Sequence, residues 1–144
     1  MSSLELGDPL AHRALQALVR AEATVRRRLA AELERAGVSA AGFSALVVLT
    51  TAGGLLELRT LRRRFDWSKA NATEVTETLE ARGLVERRRL AEDRRAVEIV
   101  LTPDGRGLVK RVFPEHAERV SQAFDALDDR EKRSLAELCR KLAA

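Results

Sequence analysis

Tyrosine is absent from this chain of 144 residues, and aromatic residues make up only 3% of it. With so little ring bulk, a core has to be built from Leu, Val and Ala, which suits helices packed on helices. There is one cysteine, Cys139, so neither an intramolecular disulfide nor a cysteine-based zinc site can form. Set beside Leu138 and Leu142, that thiol reads as buried and inert. The two histidines, His12 and His116, stand alone in the chain, and no metal or other cofactor is expected. No apolar run is long enough to cross a bilayer, and Met1 to Pro9 has no apolar signal core, so a cytoplasmic protein without a membrane partner is expected. The motifs G-x-S-x-G and H-E-x-x-H are missing, as are a phosphate loop and a convergent carboxylate pair; no enzyme class is indicated.

Charge, by contrast, is plentiful. Charged residues are 33% of the chain and the net charge is +4, with nearly all the basic residues arginine. A small net charge of this kind hides local clusters, and a weakly basic balance permits a nucleic-acid partner without requiring one. Residues 55–102 hold eleven Arg and Lys against nine Asp and Glu, a net of +2. The bases fall in two groups: Arg59, Arg62, Arg63 and Arg64, then Arg87, Arg88, Arg89, Arg94 and Arg95.

The order of elements follows from hydrophobic period and punctuation. Leu15, Leu18, Val25, Leu29 and Leu33 recur at helical spacing over Pro9 to Ala36, and Gly37 stands just past the end. Ser39 has the character of an N-cap for a second helix that ends before Gly53-Gly54. After a short apolar link at Leu55-Leu56, a third helix carries Leu58, Leu61 and Phe65. Asp66-Trp67 turns the chain, and Ser68 caps a fourth helix with Ala72, Val75 and Leu79 facing inward; Trp67 fills the turn. Helix, short turn, helix is the layout of a helix-turn-helix. The period then changes to two: a short run from Leu84 to Arg88, a polar loop, and Val97, Ile99 and Leu101 alternating with other residues make a hairpin with a charged tip, a wing. Thr102-Pro103 opens a fifth helix with a capping hydroxyl and a proline at its first position, and Asp128 to Glu131 has the form of a capping box for a sixth. The expected fold class is mainly α with a small β-wing: a winged helix-turn-helix over 37–102, with helices 1–36 and 103–144 as a dimerisation region. The first and last helices each carry an apolar stripe that needs a cover, and the simplest cover is a second copy of the chain.

The stretch LEARGLVERRRLAEDRRAVEIVLTPDGRGL, beginning at Leu79, resembles the MarR family of bacterial regulators. In that family the recognition helix ends in L-E-x-x-G-L-V, the wing has a D-x-R tip, and the second wing strand leads into L-T-x-x-G. The corresponding residues are Leu79, Glu80, Gly83, Leu84 and Val85, then Asp93, Arg94 and Arg95, then Leu101, Thr102 and Gly105. The resemblance implies a triangular homodimer whose terminal helices interlock. It also implies a transcriptional regulator, here a repressor, that loses DNA affinity when a small aromatic or carboxylated effector binds. Three positions depart from the pattern: Asp66 stands where the turn usually has Gly, Arg62 where a small residue is usual, and Glu74 where a base is common. With Glu77 and Glu80, Glu74 gives the recognition helix an acidic character, which motivates a second reading, a winged-helix module that contacts protein.

For double-stranded DNA as partner, arginine and lysine supply affinity by releasing counterions from phosphates. Arg59, Arg62, Arg63, Arg88 and Arg95 are candidates for that role, the alternative being a solvated arginine face, which suits Arg64 and Arg82 better. Ser68 can offer its hydroxyl and the helix-start N–H groups to a phosphate, or act only as a cap. Lys69, Asn71, Ala72, Thr73 and Thr76 are candidates for contact along the early recognition helix. Asn can bond N6 and N7 of adenine and Lys can donate to guanine, so Asn71 and Lys69 are the base-reading candidates, with phosphate or water as their alternative partners. By resemblance, Arg94 enters a minor groove while Asp93, with Arg95, holds the wing in shape through ion pairs. His12, Arg13 and His116 are candidates for an effector pocket; His116, on an apolar stripe, reads equally as a hydrogen-bonded packing residue.

Overall fold

The computed structural model describes residues 4, 5 and 7–144. Its elements are α1 (Pro9–Ala36), α2 (Ala40–Thr51), β1 (Leu55–Glu57), α3 (Leu58–Phe65), α4 (Lys69–Ala81), β2 (Val85–Arg89), β3 (Val97–Leu101), α5 (Pro103–Ala123) and α6 (Asp129–Ala143). The protein is therefore mainly α, with one antiparallel three-stranded sheet in the order β1-β3-β2. The sheet and the helix pair α3–α4, which lies between β1 and β2, form a winged helix-turn-helix. The residues divide into two compact units, 30–118 and 1–29 with 119–144.

The unit 30–118 closes around Phe43, Leu46, Leu49, Leu61, Val85 and Ile99, all buried. Each apolar side chain fully removed from water contributes about 1.5–3 kcal/mol, so a core made largely of leucine and valine suffices for a unit of this size. Its helices begin and end as their sequences dictate. The Ser39 hydroxyl accepts from the Gly42 N–H at 3.0 Å and the Ser68 hydroxyl from the Asn71 N–H at 3.0 Å. Asp66 takes the left-handed conformation, φ 52°, that closes α3; Asp tolerates this region better than most residues, so the turn survives without the usual glycine. Trp67 then stacks on Phe65 with ring centroids 4.6 Å apart and is partly buried against the core.

The apolar link at Leu55 is a strand. Leu55 lies opposite Val100 and Leu56 opposite Ile99, so β1 covers the free edge of β3. Three residues are too few to display a period, and only the presence of the hairpin supplies their partner. At the other end of β3 the L-T-x-x-G motif has a mechanical explanation. The Thr102 hydroxyl donates to the Gly83 carbonyl at 2.6 Å and accepts from the Gly105 N–H at 3.0 Å, tying the end of α4 to the start of α5. A Cβ on Gly105 would run into the Leu84 carbonyl oxygen and the Leu101 side chain, so glycine is required by close approach.

In the unit formed by 1–29 and 119–144, the Asp128 carboxylate accepts from the Glu131 N–H at 2.8 Å and the Glu131 carboxylate from the Asp128 N–H at 3.0 Å, a complete capping box for α6. Apolar side chains of α1 and α6 line a groove of about 610 Å³ open to solvent, among them Leu15, Leu18, Leu135, Leu138 and Leu142. Cys139 lies in the same lining and is exposed, which corrects the expectation of a buried thiol: in one chain nothing covers this face of α6. Among the described residues, no single helix is long and apolar enough to cross a membrane.

Candidate nucleic-acid interface

The site is built by the start of α4, by α3 and by the wing. These elements meet around a cavity of about 210 Å³ lined by Glu57, Arg59, Arg62, Lys69, Asp93 and Arg95, with Leu58, Ala72, Ala96 and Val97 as its apolar part. Four cations against two carboxylates make it a basic depression. Arg59 is ion-paired to Glu57 at 2.5 Å. Arg62 is exposed and donates from Nε to the Trp67 carbonyl at 3.2 Å, so it buttresses the turn. Lys69, Asn71 and Ser68 are exposed at the helix start. Arg63 is exposed on α3, and Arg88 is exposed on β2 and paired with Glu86 at 2.7 Å.

The interior face of α4 removes two candidates. Ala72 is 1% exposed and Thr76 is 0% exposed. The Thr76 hydroxyl donates back to the Ala72 carbonyl at 2.9 Å and lies 3.2 Å from the Thr73 carbonyl. Neither residue can reach a base. Ala72, Thr76 and Leu79 share one helical face, and a threonine placed there satisfies its hydroxyl within the helix and buries its methyl. Thr73 is half-buried at the edge of that face.

The wing tip is held by backbone contacts. The Asp93 carboxylate accepts from the Arg95 N–H at 3.0 Å, the Ala96 N–H bonds the Asp93 carbonyl at 3.0 Å, and Arg89 donates to the Arg94 carbonyl at 2.8 Å. Asp93 thus orders the tip through a main-chain N–H, where ion pairing with Arg95 was expected; among the described residues no ion pair joins the two side chains. The Arg94 side chain is exposed and has no ion pair among the described residues.

Sequence reasoning missed the residues that join α4 to the wing. Glu80 accepts from the Arg87 N–H at 2.8 Å, and Glu77 pairs with the Arg87 guanidinium at 3.4 Å. Two of the three recognition-helix carboxylates are therefore spent on β2. Their spacing three apart, ahead of an arginine-rich strand, was the available signal.

The effector-pocket candidates fall in different units. His12 and Arg13 are exposed near the start of α1, in the unit of 1–29 and 119–144. His116 belongs to the unit 30–118, where its Nδ1 lies 2.7 Å from a buried Glu32 carboxylate oxygen and its ring meets Phe43 edge-on at 4.9 Å. Glu32 continues the stripe of Val25 and Leu29 at helical spacing, a position that the eye assigns to solvent because the residue is charged. Among the described residues, no group of three or more His, Cys, Asp or Glu could hold a metal ion.

Comparison with known proteins places this geometry. The MarR family model matches residues 38–97. Transcriptional repressor MprA of Escherichia coli is 37% identical over 75 residues, which are 52% of this chain and 43% of that protein, so the match spans less than half the length of that relative. An uncharacterised HTH-type transcriptional regulator of Bacillus subtilis, YkoM, is 30% identical over 105 residues, covering 73% of this chain and 68% of that one. Among solved structures, Sco3205, a MarR-family regulator from Streptomyces coelicolor crystallised in complex with DNA, superposes with a TM-score of 0.84 at 26% identity over 99% of this chain and 90% of that chain. The chain belongs to the MarR family.

Proposed function

We propose that this protein is a transcriptional regulator that binds double-stranded DNA as a homodimer and acts as a repressor released by a small aromatic or carboxylated effector. The observation that carries the DNA reading is the meeting of Lys69, Arg59, Arg62 and Arg95 around one depression at the start of α4, beside an exposed Ser68 and Asn71. A helix start offers unpaired N–H groups and the positive end of its dipole to a phosphate, and the neighbouring cations add counterion release. In this reading Lys69 and Asn71 meet base edges in the major groove, with Thr73 at the margin of the contact. Ser68, Arg59, Arg62, Arg63, Arg88 and Arg95 meet the backbone, and Arg94 reaches into the minor groove.

The ion pair of Glu77 with the Arg87 guanidinium and the bond from the Arg87 N–H to Glu80 favour DNA over the protein-interaction alternative, because the first offsets one of the charges that motivated the alternative and the second engages another carboxylate on β2. The homodimer is supported by the uncovered groove on α1 and α6, whose leucines are exposed in a single chain. Release by an effector is supported by a similar solved regulator, BpsR of Bordetella bronchiseptica, whose DNA binding is regulated by 6-hydroxynicotinic acid; the candidate contacts, each taken within its own unit, are His12 and Arg13 in the one and His116 in the other. A dimer would read two half-sites about 10–10.5 bp apart, centre to centre. The test is fluorescence anisotropy with the DNA upstream of the protein's own gene, titrated with salt. A log–log slope of several units and retention against competitor DNA are expected; binding no tighter than to random duplex would reject the reading.

A further inference from the structure

Resting on that DNA reading, we propose that Glu74 is a specificity-determining residue that accepts a hydrogen bond from the N4 amino group of a cytosine in each half-site. Glu74 lies two residues from both Ala72 and Thr76, the buried pair, and two residues on an α-helix are about 200° apart around the axis. It therefore stands on the face of α4 turned directly away from the core. Ala70, four residues earlier on the same face, has only a methyl group and is exposed, so the helix backbone can approach a groove floor closely there. Of the three carboxylates on α4, Glu77 and Glu80 are held by Arg87. Glu74 is exposed and has no ion pair among the described residues, and none of Ala70, Asn71, Glu77 and Thr78, its neighbours along the helix surface, is a cation.

A carboxylate in that place faces a simple choice. The duplex is a dense line of negative charge, so an unpaired carboxylate is repelled on approach unless it finds a donor. An ionised glutamate only accepts. In the major groove, guanine shows N7 and O6 acceptors, thymine an O4 acceptor and a methyl group, and adenine an N6 donor beside an N7 acceptor. Cytosine alone shows a donor with no acceptor of its own on that edge. The outermost position of α4 thus favours cytosine, whose edge offers only a donor, over adenine, whose N6 donor sits beside the N7 acceptor, and is repelled by guanine and thymine, which offer only acceptors, while Asn71, one turn earlier, has a side chain suited to adenine.

The full-length protein would be used to enrich a random duplex pool, and binding to the winning site then measured for the wild type, Glu74→Ala and Glu74→Gln. The same site would be made with each cytosine in turn replaced by 2-pyrimidinone, which lacks the 4-amino group. One cytosine per half-site should be sensitive: the wild type loses roughly 5- to 150-fold there, the span that corresponds to one good base contact. Glu74→Ala should bind both duplexes alike, and Glu74→Gln should shift the preferred base at that position towards adenine. Because Glu74 is exposed, both variants should melt as the wild type does. Unchanged base preferences in both variants, with affinity raised uniformly on every sequence, would overturn the inference and leave Glu74 as a like-charge brake; a winning site without a sensitive cytosine would overturn it equally. If the wild type itself enriches no sequence and binds duplex without salt dependence, the DNA reading fails first and takes this inference with it.

Discussion

Leu33 and Leu15 belong to the same helix and to the same apolar stripe, yet Leu33 is 2% exposed and Leu15 is 56% exposed. The end of α1 helps close a core that one chain can complete. The beginning of α1, with α6, presents Leu15, Leu18, Leu138 and Leu142 to solvent. An exposed apolar patch of this kind marks an interaction surface. One pattern in the sequence thus serves two kinds of folding: leucines that hold the unit 30–118 together by themselves, and leucines that await a cover. Period alone cannot distinguish them, since both lie at the spacing of an amphipathic helix.

The largest effects separate these two kinds of leucine. Leu46→Ala, at the centre of the unit 30–118, should cost about 2–5 kcal/mol at any protein concentration, read by denaturant unfolding. Leu138→Glu, in the exposed groove, should leave the unit 30–118 folded but convert the proposed dimer to a 16.0 kDa species by sedimentation. The wild-type melting temperature should also rise with concentration, and that dependence should vanish in Leu138→Glu. A wild type that sediments as a stable monomer would erase the distinction between the two sets of leucines.

A smaller effect tests how the unit 30–118 is tied at its seam. Gly105→Ala forces a Cβ against the Leu84 carbonyl, where backbone has to move, and should cost about 1–3 kcal/mol. Thr102→Val removes a cap and the donor to Gly83 and should cost about 1 kcal/mol, checked by thermal melts of the same protein. Gly105→Ala as stable as the wild type would mean that α5 is not seated on Leu84.

How much of this was legible in the sequence follows from the range of each signal. Caps are local, and Ser39, Ser68 and the Asp128–Glu131 box were readable because a hydroxyl or carboxylate and an N–H three residues on are all that they require. The turn at Asp66-Trp67 was readable for the same reason, while its left-handed residue was signalled only by the resemblance, which put Asp66 at the place of a glycine. Strand β1 was not, since its partner β3 lies some forty residues away and its own three residues have no period. Burial of Thr76 was masked by its chemistry: a hydroxyl suggests contact with DNA, whereas the neighbouring carbonyl of Ala72 satisfies it inside the helix. Glu32 is the converse case, a charged residue whose chemistry suggests solvent but which is buried against His116. In the candidate site, the positions of Lys69 and Asn71 at the helix start were legible from the cap. The commitment of Glu77 and Glu80 to Arg87 was not, because it depends on the register by which the strand returns beside the helix.

The smallest expected change in stability, and the clearest change in binding, lies at the wing tip. The Arg94 side chain is exposed and has no ion pair among the described residues, while its own carbonyl is held by Arg89 and its neighbour's N–H by Asp93. The tip is thus ordered through backbone atoms and leaves its arginine available. Arg94→Ala should therefore leave the melting temperature almost unchanged, with a stability change within about 0.5 kcal/mol, as for a surface residue without packing. If Arg94 enters the minor groove, the variant should bind the operator more weakly, and the slope of log affinity against log salt should fall by about 1 for each arginine withdrawn from the duplex. Asp93→Ala should behave differently. It removes the acceptor that fixes the Arg95 N–H, so the tip becomes mobile and binding weakens although every arginine is still present. Amide hydrogen exchange at Arg95 and Ala96 should accelerate in Asp93→Ala and stay at the wild-type rate in Arg94→Ala. Equal operator affinity for Arg94→Ala and the wild type at every salt concentration would mean that the wing does not read DNA, and that the depression at the start of α4 carries the interface alone.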